Sequence, residues 1–227
     1  MLFNLYMLTL GIDDAGRGPV IGPMVLAGCL IDDKTGEKFK KLGIKDSKQV
    51  TQKRRELLEG KIKQDAEMFE IVIIYPKEIE EKNKEQINLN ELEAIACARI
   101  INKINKGFNK IKVVVDCPSP SIVKWQDLLK TKIKNLSNLE ISCEHKADQN
   151  HVSVSAASIL AKCVREKEMT KLKEKYGSGI GSGYPSDPLT CRFLEKHANK
   201  YKDDGIFRKT WNTWKKASAI LNQRKLF

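Results

Sequence analysis

Val113-Val114-Val115 is an unbroken β-branched run that stops at Asp116, with Pro118 two residues further on. Successive strand residues point to opposite faces, so three apolar side chains in a row call for burial on both faces. Such a strand belongs inside a sheet covered by helices, and the rest of the chain agrees. Apolar runs at Leu8 to Ile12 and Val20 to Ile31 open the sequence, with a first strand expected over residues 5–13. Phe69–Tyr75, Ile111–Val115 and Leu139–Cys143 read as further strands. A Lys-, Arg- and Glu-rich segment at 47–65 suits a surface helix. A long helix follows Asn88, which caps it, with Glu91 closing a capping box. After residue 150 the β signal fades, and 152–176, 188–199 and 207–223 read as helices. Asp187-Pro188 has the form of an N-cap followed by proline at the first helical position. The expected fold class is α/β, a central mixed β-sheet flanked by helices, plus a C-terminal helical region.

At 227 residues the chain is long enough for one sizeable core. Lys and Arg outnumber Asp and Glu by 41 to 29, a net charge of +12. That surplus suits a polyanionic partner, because basic side chains displace counterions from phosphate backbones; a solvated Lys-rich surface is the plainer reading. None of the six cysteines forms a CxxC pair, and His145, His151 and His197 are not spaced for zinc. Free buried thiols suit a reducing compartment, and the cytoplasm is expected. The opening MLFNLYMLTL lacks a basic n-region and a small-residue cleavage site. No apolar stretch reaches the roughly 18 residues of a membrane span.

Four acidic residues lie where apolar runs end. Asp13 and Asp14 follow the first run, Asp116 closes Val113–Val115, and Asp148 precedes the helix at 152–176. Ligands of open α/β sheets gather at strand carboxyl ends, so these side chains are candidates to converge. An all-oxygen set without His or thiolate suits Mg²⁺ or Mn²⁺. Two ions about 4 Å apart are the usual arrangement for in-line phosphodiester displacement. Taken singly, each acid also suits a turn, a helix cap or a solvated strand end. Gly16-Arg17-Gly18 sets a guanidinium between two flexible residues, a good phosphate or sugar contact but a short motif. Lys162 and Arg165 suit either phosphate contacts or a solvated helix face. Trp211 and Trp214, beside Arg208, Lys209, Lys215 and Lys216, suit core packing or a basic gripping surface.

Gly11-Ile12-Asp13-Asp14-Ala15-Gly16-Arg17-Gly18-Pro19, with Gly22-Pro23 downstream, resembles the opening motif of ribonuclease HII. Asp46-Ser47-Lys48, Val115-Asp116, His145-Lys146-Ala147-Asp148 and Ser155–Lys162 follow in that family's order. So do Gly181–Pro188, which contains Tyr184, and Arg208-Lys209-Thr210-Trp211. The match runs from about residue 9 to 215 and is most similar to archaeal members. The resemblance implies a ribonuclease H-like catalytic domain over 1–180 and a helical substrate-binding region over 181–227. It implies metal ligands at Asp13, Asp14, Asp116 and Asp148, and two Mg²⁺ or Mn²⁺ ions. Gly16, Arg17 and Gly18 would read the RNA–DNA junction, and Tyr184 would pack beside the ribose 2′-hydroxyl. Lys48, Lys162, Arg165 and Thr210 complete the expected substrate contacts. The activity implied is hydrolysis on the 5′ side of a ribonucleotide, in RNA–DNA hybrids or in duplex DNA with embedded ribonucleotides, leaving 3′-hydroxyl and 5′-phosphate ends. The protein is expected to be a monomer that associates with no membrane.

Two departures stand out. The family's pattern has Glu after the first Asp, whereas this chain has Asp14. Neighbouring strand residues diverge, so Asp14 is expected to share a site with Asp13 only if the strand ends or bulges there. Gln149-Asn150-His151 also replaces the small, aromatic and proline residues that relatives commonly carry after the last Asp. His151 is either close to the metals or a polar residue at a helix start. The rival readings are a nuclease of the same fold with another specificity, and a nucleic-acid-binding protein whose site Asp14 has weakened.

Overall fold

The computed structural model of the protein describes residues 7–44 and 51–223. Its sheet has five strands in the order β3-β2-β1-β4-β5. They are β1 (Leu8–Ala15), β2 (Met24–Ile31), β3 (Met68–Ile74), β4 (Ile111–Asp116) and β5 (Leu139–Glu144). β1 pairs antiparallel with β2 and parallel with β4, and β4 pairs parallel with β5. The sheet is therefore mixed, as expected, and Val113, Val114 and Val115 are all buried in it.

The chain falls into two compact units. The first takes in residues up to Ala15, Val25–Val72 and Asn90–Cys163. Two glycines show how it is layered. A side chain at Gly28 would meet Ile100 of α4 (Leu89–Ile104) at 2.3 Å, and one at Gly11 would meet the backbone of Ser153 and Val154 at 2.2 Å. Gly28 pairs with Ile12, the neighbour of Gly11, so these contacts lie on opposite faces of the pleat. Helix α4 thus covers one face. The start of α7 (Val152–Tyr176) covers the other, and Ala156, Ala157, Ser158 and Ala161 are fully buried there.

The second unit comprises Gly16–Met24, Ile73–Leu89 and Val164–Phe227. All of the expected 181–227 region lies in it, with two earlier segments of chain. Val20, Ile21, Ile180, Phe193, Leu194, Phe207 and Trp214 form its core. Trp214 stacks on Phe207 at 4.5 Å, so core packing describes this indole.

Several boundaries differ from expectation. β1 continues to Ala15 because β2 keeps pairing with it, Asp14 against Leu26 and Ala15 against Val25. β2 begins at Met24 rather than Val20. Gly22 has φ 86°, Pro23 has no N–H, and the N–H groups of Val20 and Ile21 both donate to the Gly183 carbonyl. The last helix begins at Asn212 rather than 207, because Arg208 N–H donates to the Val20 carbonyl and Phe207 bridges Ile21. α8 (Pro188–His197) ends two residues early. Its start is as expected: Asp187 Oδ1 accepts from Leu189 N–H at 2.9 Å and Pro188 occupies the first turn. Unanticipated helices among the described residues include α1 (Asp33–Lys41), capped by Asp32, α3 (Pro76–Lys84) and α5 (Ile122–Thr131). Among the described residues, α2 is Gln52–Asp65 and its expected start at 47 lies outside them. No helix among the described residues is long and apolar enough to cross a membrane.

Candidate active site

The ladder between β1 and β4 ends at the pair Ile12–Val115. The next residue on each strand is an acid, Asp13 on β1 and Asp116 on β4. Two neighbouring parallel strands therefore carry carboxylates at the same level, just past their last paired residues. Asp14 lines the same cleft as Asp13 and Asp116, with Ile12, Val115, Cys97 and Trp125. β1 neither ends nor bulges against β2 at this point, but past Ile12 it no longer pairs with β4.

Asp148 is reached through Asp116. The Asp116 Oδ1 accepts from the N–H of Ala147 at 2.8 Å, which ties the end of β4 to the one-turn helix α6 (Ala147–Asn150). Asp148 itself is buried on α6, and Ser155 Oγ donates to its carbonyl. It does not line the cleft that the other three acids share. His151 bonds Glu144 through Nε2 at 2.9 Å. It is placed at the junction of α6 and α7, and it too is absent from the cleft.

Crowding of carboxylates marks the electrostatics. Asp13 is only 7% exposed. Burial, then the charge of Asp14, and further down that of Asp116, push its pKa from 3.8 up to about 8. Between those values the unfolded chain gives up a proton that the fold retains, so the contribution of Asp13 to metal-free stability is fully present below about pH 4 and is lost as pH rises toward 8. At about 1.4 kcal/mol per pH unit of separation, the gap is worth several kcal/mol. Melts in EDTA should show Tm falling from about pH 5 to about pH 8, and Asp13→Asn should flatten that slope. A pH-independent difference between the two proteins would contradict this account.

Among the described residues, no three His, Cys, Asp or Glu side chains stand close enough to hold a metal as placed. The donor chemistry nonetheless fits a hard divalent cation. The acids of the cleft offer oxygen alone, and the burial and mutual repulsion that raise Asp13 are what a cation would offset. Glu93 of α4 was not anticipated. It is 2% exposed and lines the same cleft. Its signal is a Glu on the stripe that continues through Cys97, Ile100, Ile101 and Ile104, where an apolar residue is the norm.

The remaining expected residues fall as follows. Lys162 is half-buried on α7 in the first unit, and Lys48 lies outside the described residues with Asp46 and Ser47. The second unit holds Gly16, Arg17, Gly18, Arg165, Tyr184 and Thr210. Gly18 is exposed, and a side chain there would lie 3.7 Å from the Tyr184 ring. Arg165 is 8% exposed, stacks on Tyr184 at 5.0 Å, and donates to the Ser182 carbonyl at 2.9 Å. Its guanidinium is thus held inside the unit. Thr210 N–H and Oγ1 both bond Glu80, at 3.2 and 3.3 Å.

Comparison with known proteins accounts for this arrangement. The family model described as Ribonuclease HII matches residues 10–214. A relative named Ribonuclease HII from Methanococcus maripaludis is 42% identical over 221 residues, 97% of this chain and 91% of its own. The ribonuclease H2 crystal structure from Pyrococcus horikoshii OT3 is similar at TM-score 0.84 and 39% identity, covering 95% of this chain and 99% of that one. The ribonuclease HII solved in complex with PCNA from Archaeoglobus fulgidus is similar at TM-score 0.79 and 34% identity, covering 91% and 96%. The mixed sheet with its covering helices is the ribonuclease H-like fold. On sequence and on structure alike, the chain belongs to the ribonuclease HII family, metal-dependent endoribonucleases of the type 2 ribonuclease H class.

Proposed function

We propose that this protein hydrolyses the phosphodiester on the 5′ side of a ribonucleotide, in RNA–DNA hybrids or in duplex DNA with embedded ribonucleotides, leaving 3′-hydroxyl and 5′-phosphate ends. The observation that carries the reading is the pair of carboxylates, Asp13 and Asp116, just past the last paired residues of two adjacent parallel strands, with Asp14 in the same cleft. Asp13, Asp14, Asp116 and Asp148 would hold two Mg²⁺ or Mn²⁺ ions. When bound, such ions lower the pKa of water and neutralise charge developing on phosphate oxygens. The protein's share is to hold its carboxylates in place; Asp13, whose proton burial retains, would give it up when a cation binds.

Discrimination falls to the second unit. Gly16, Arg17 and Gly18 follow the acids directly in sequence and would read the ribose 2′-hydroxyl, with the Tyr184 ring packed beside the sugar. Lys162 and Thr210 are further substrate contacts. Arg165 acts from beneath Tyr184, because its guanidinium is buried there. The net charge of +12 supports a polyanionic partner, and six free thiols, five of them buried, suit a cytoplasmic setting.

The test is a DNA duplex carrying one ribonucleotide, incubated with Mg²⁺ or Mn²⁺. A single cut on the 5′ side is expected, and replacing that ribose by deoxyribose should abolish it. Cutting of the all-DNA duplex would point to another nuclease specificity. Salt-sensitive binding without any product would point to a binding protein. Asp14→Glu should raise activity, because the shorter arm displaces its carboxylate by about 1 Å, a shift able to cost on the order of 10²-fold. Equal rates across both metal titrations would refute that expectation.

A further inference from the structure

Arg208 is fully buried, yet it carries a guanidinium. Its Nη1 donates to the Arg17 carbonyl at 2.7 Å, and its Nη2 to the carbonyls of Gly16 at 2.6 Å and Gly22 at 3.0 Å. Nε adds a 3.2 Å bond to the same Gly22 oxygen. One turn further on, Trp211 Nε1 donates to the Gly18 carbonyl at 3.2 Å, while its ring lies 5.1 Å from the Arg208 guanidinium. The carbonyls of Gly16, Arg17 and Gly18 are thus all held by the segment 208–211, some 190 residues away in sequence.

Burying a guanidinium costs desolvation energy, and an apolar side chain of similar volume fills a core more cheaply. What a guanidinium uniquely supplies is a rigid planar fork of five donors. Directed at consecutive carbonyls, that fork fixes the rotation of each peptide plane. In a trans peptide the C=O and the following N–H point in opposite directions. Holding the Gly16 and Arg17 carbonyls toward Arg208 therefore turns the N–H groups of Arg17 and Gly18 the other way. Arg165 serves the neighbouring feature in the same manner. It holds the Ser182 carbonyl and supports the Tyr184 ring, and its Nε lies 2.3 Å from where a Gly16 side chain would be. The absence of a side chain at Gly16, where φ is 85°, lets this second guanidinium lie under the loop.

We propose that Arg208 is a positioning residue for ribonucleotide discrimination. By pinning the Gly16 and Arg17 carbonyls it sets the direction in which Gly16-Arg17-Gly18 presents its donors, and Trp211 holds the carbonyl of Gly18. This rests on the reading of that loop given above. Arg208 need not touch the substrate; its effect is on how well the loop distinguishes ribose from deoxyribose.

The experiment compares wild type, Arg208→Lys, Arg208→Gln and Trp211→Phe. Each is first checked by circular dichroism and thermal melting. Dissociation constants are then measured in Ca²⁺ for a duplex with one ribonucleotide and for the same duplex in all-DNA form, and kcat and KM are measured in Mg²⁺. Loss of the fork should shrink the ribose preference at least fivefold in Arg208→Lys, which keeps the charge but not the planar donor set. All-DNA affinity should stay within twofold, and KM should rise along with the fall in kcat. Trp211→Phe keeps the ring and loses one hydrogen bond, so a smaller loss in the same direction is expected. Folded Arg208→Lys and Trp211→Phe proteins with wild-type preference would overturn the proposal, whatever becomes of Arg208→Gln. A structural role alone would lower Tm and leave the preference unchanged. If wild type shows no ribose preference, it is the reading of the loop that fails, and the inference falls with it.

Discussion

Asp116→Asn is expected to lower kcat/KM for a single-ribonucleotide duplex by at least about 10²-fold, with substrate binding largely intact. Loss of an outer partner of a metal site already costs about 10- to 100-fold, and a direct ligand should cost no less. The substitution is nearly isosteric, and Asn keeps an Oδ1 able to accept from Ala147 N–H, so the link from β4 to α6 survives. What disappears is a charge that helps to raise the Asp13 pKa. Metal-free Asp116→Asn should therefore melt at the same temperature as wild type or higher at about pH 8. Activity and apo stability moving in opposite directions is the signature of a carboxylate kept for chemistry. Normal cutting by the variant would remove Asp116 from the site.

The largest effect on stability should come from Gly11→Ala. The new methyl would lie 2.2 Å from the carbonyl carbon of Ser153 and the nitrogen of Val154, both backbone atoms at the start of α7. No rotamer change relieves a clash with backbone, so strand and helix must separate. Overpacking of this kind costs about 1–3 kcal/mol and more where nothing yields. We expect about 3 kcal/mol or more, a Tm drop of roughly 6–12 °C for a chain of this size. Activity should fall as well, because Gly11 lies two residues before Asp13 on the same strand. Gly28→Ala is the control. Its clash at 2.3 Å is with Ile100 Cγ2, a side-chain rather than a backbone atom but one on a stiff β-branch, so a substantial but smaller cost is expected. Chemical denaturation of both variants checks the ranking, and equal costs would undo the argument.

Two failures of sequence reading share a cause. Val20 to Ile31 reads as one apolar run, yet the chain turns at Gly22-Pro23 and its first residues pair with Gly183 and Phe207 instead. Residues 207–211 carry a helical pattern, yet Phe207 bridges Ile21, the Arg208 N–H donates to Val20, and the Arg208 side chain is taken up by the loop at 16–22. In both places a partner far along the chain outweighed local preference. Helices such as Asp33–Lys41 were missed for a different reason, since at nine residues they are shorter than the window over which a helical pattern is read, although the segment is amphipathic.

Hydrophobic periodicity and turn residues, both local in origin, were enough to determine the fold class, most of the strands, the long helix at 152–176 and the acids that end the apolar runs. Those features depend on which face of a strand or helix a side chain must bury, and neighbours in sequence decide that. Only the tertiary structure decided that Asp13 and Asp116 stand level. That follows from the pairing of Ile12 with Val115, two residues about a hundred positions apart whose register no local pattern records. It also brought Glu93 into the cleft and Arg208 under the loop, since a buried charge is indistinguishable in sequence from a solvated one until its partners are in place.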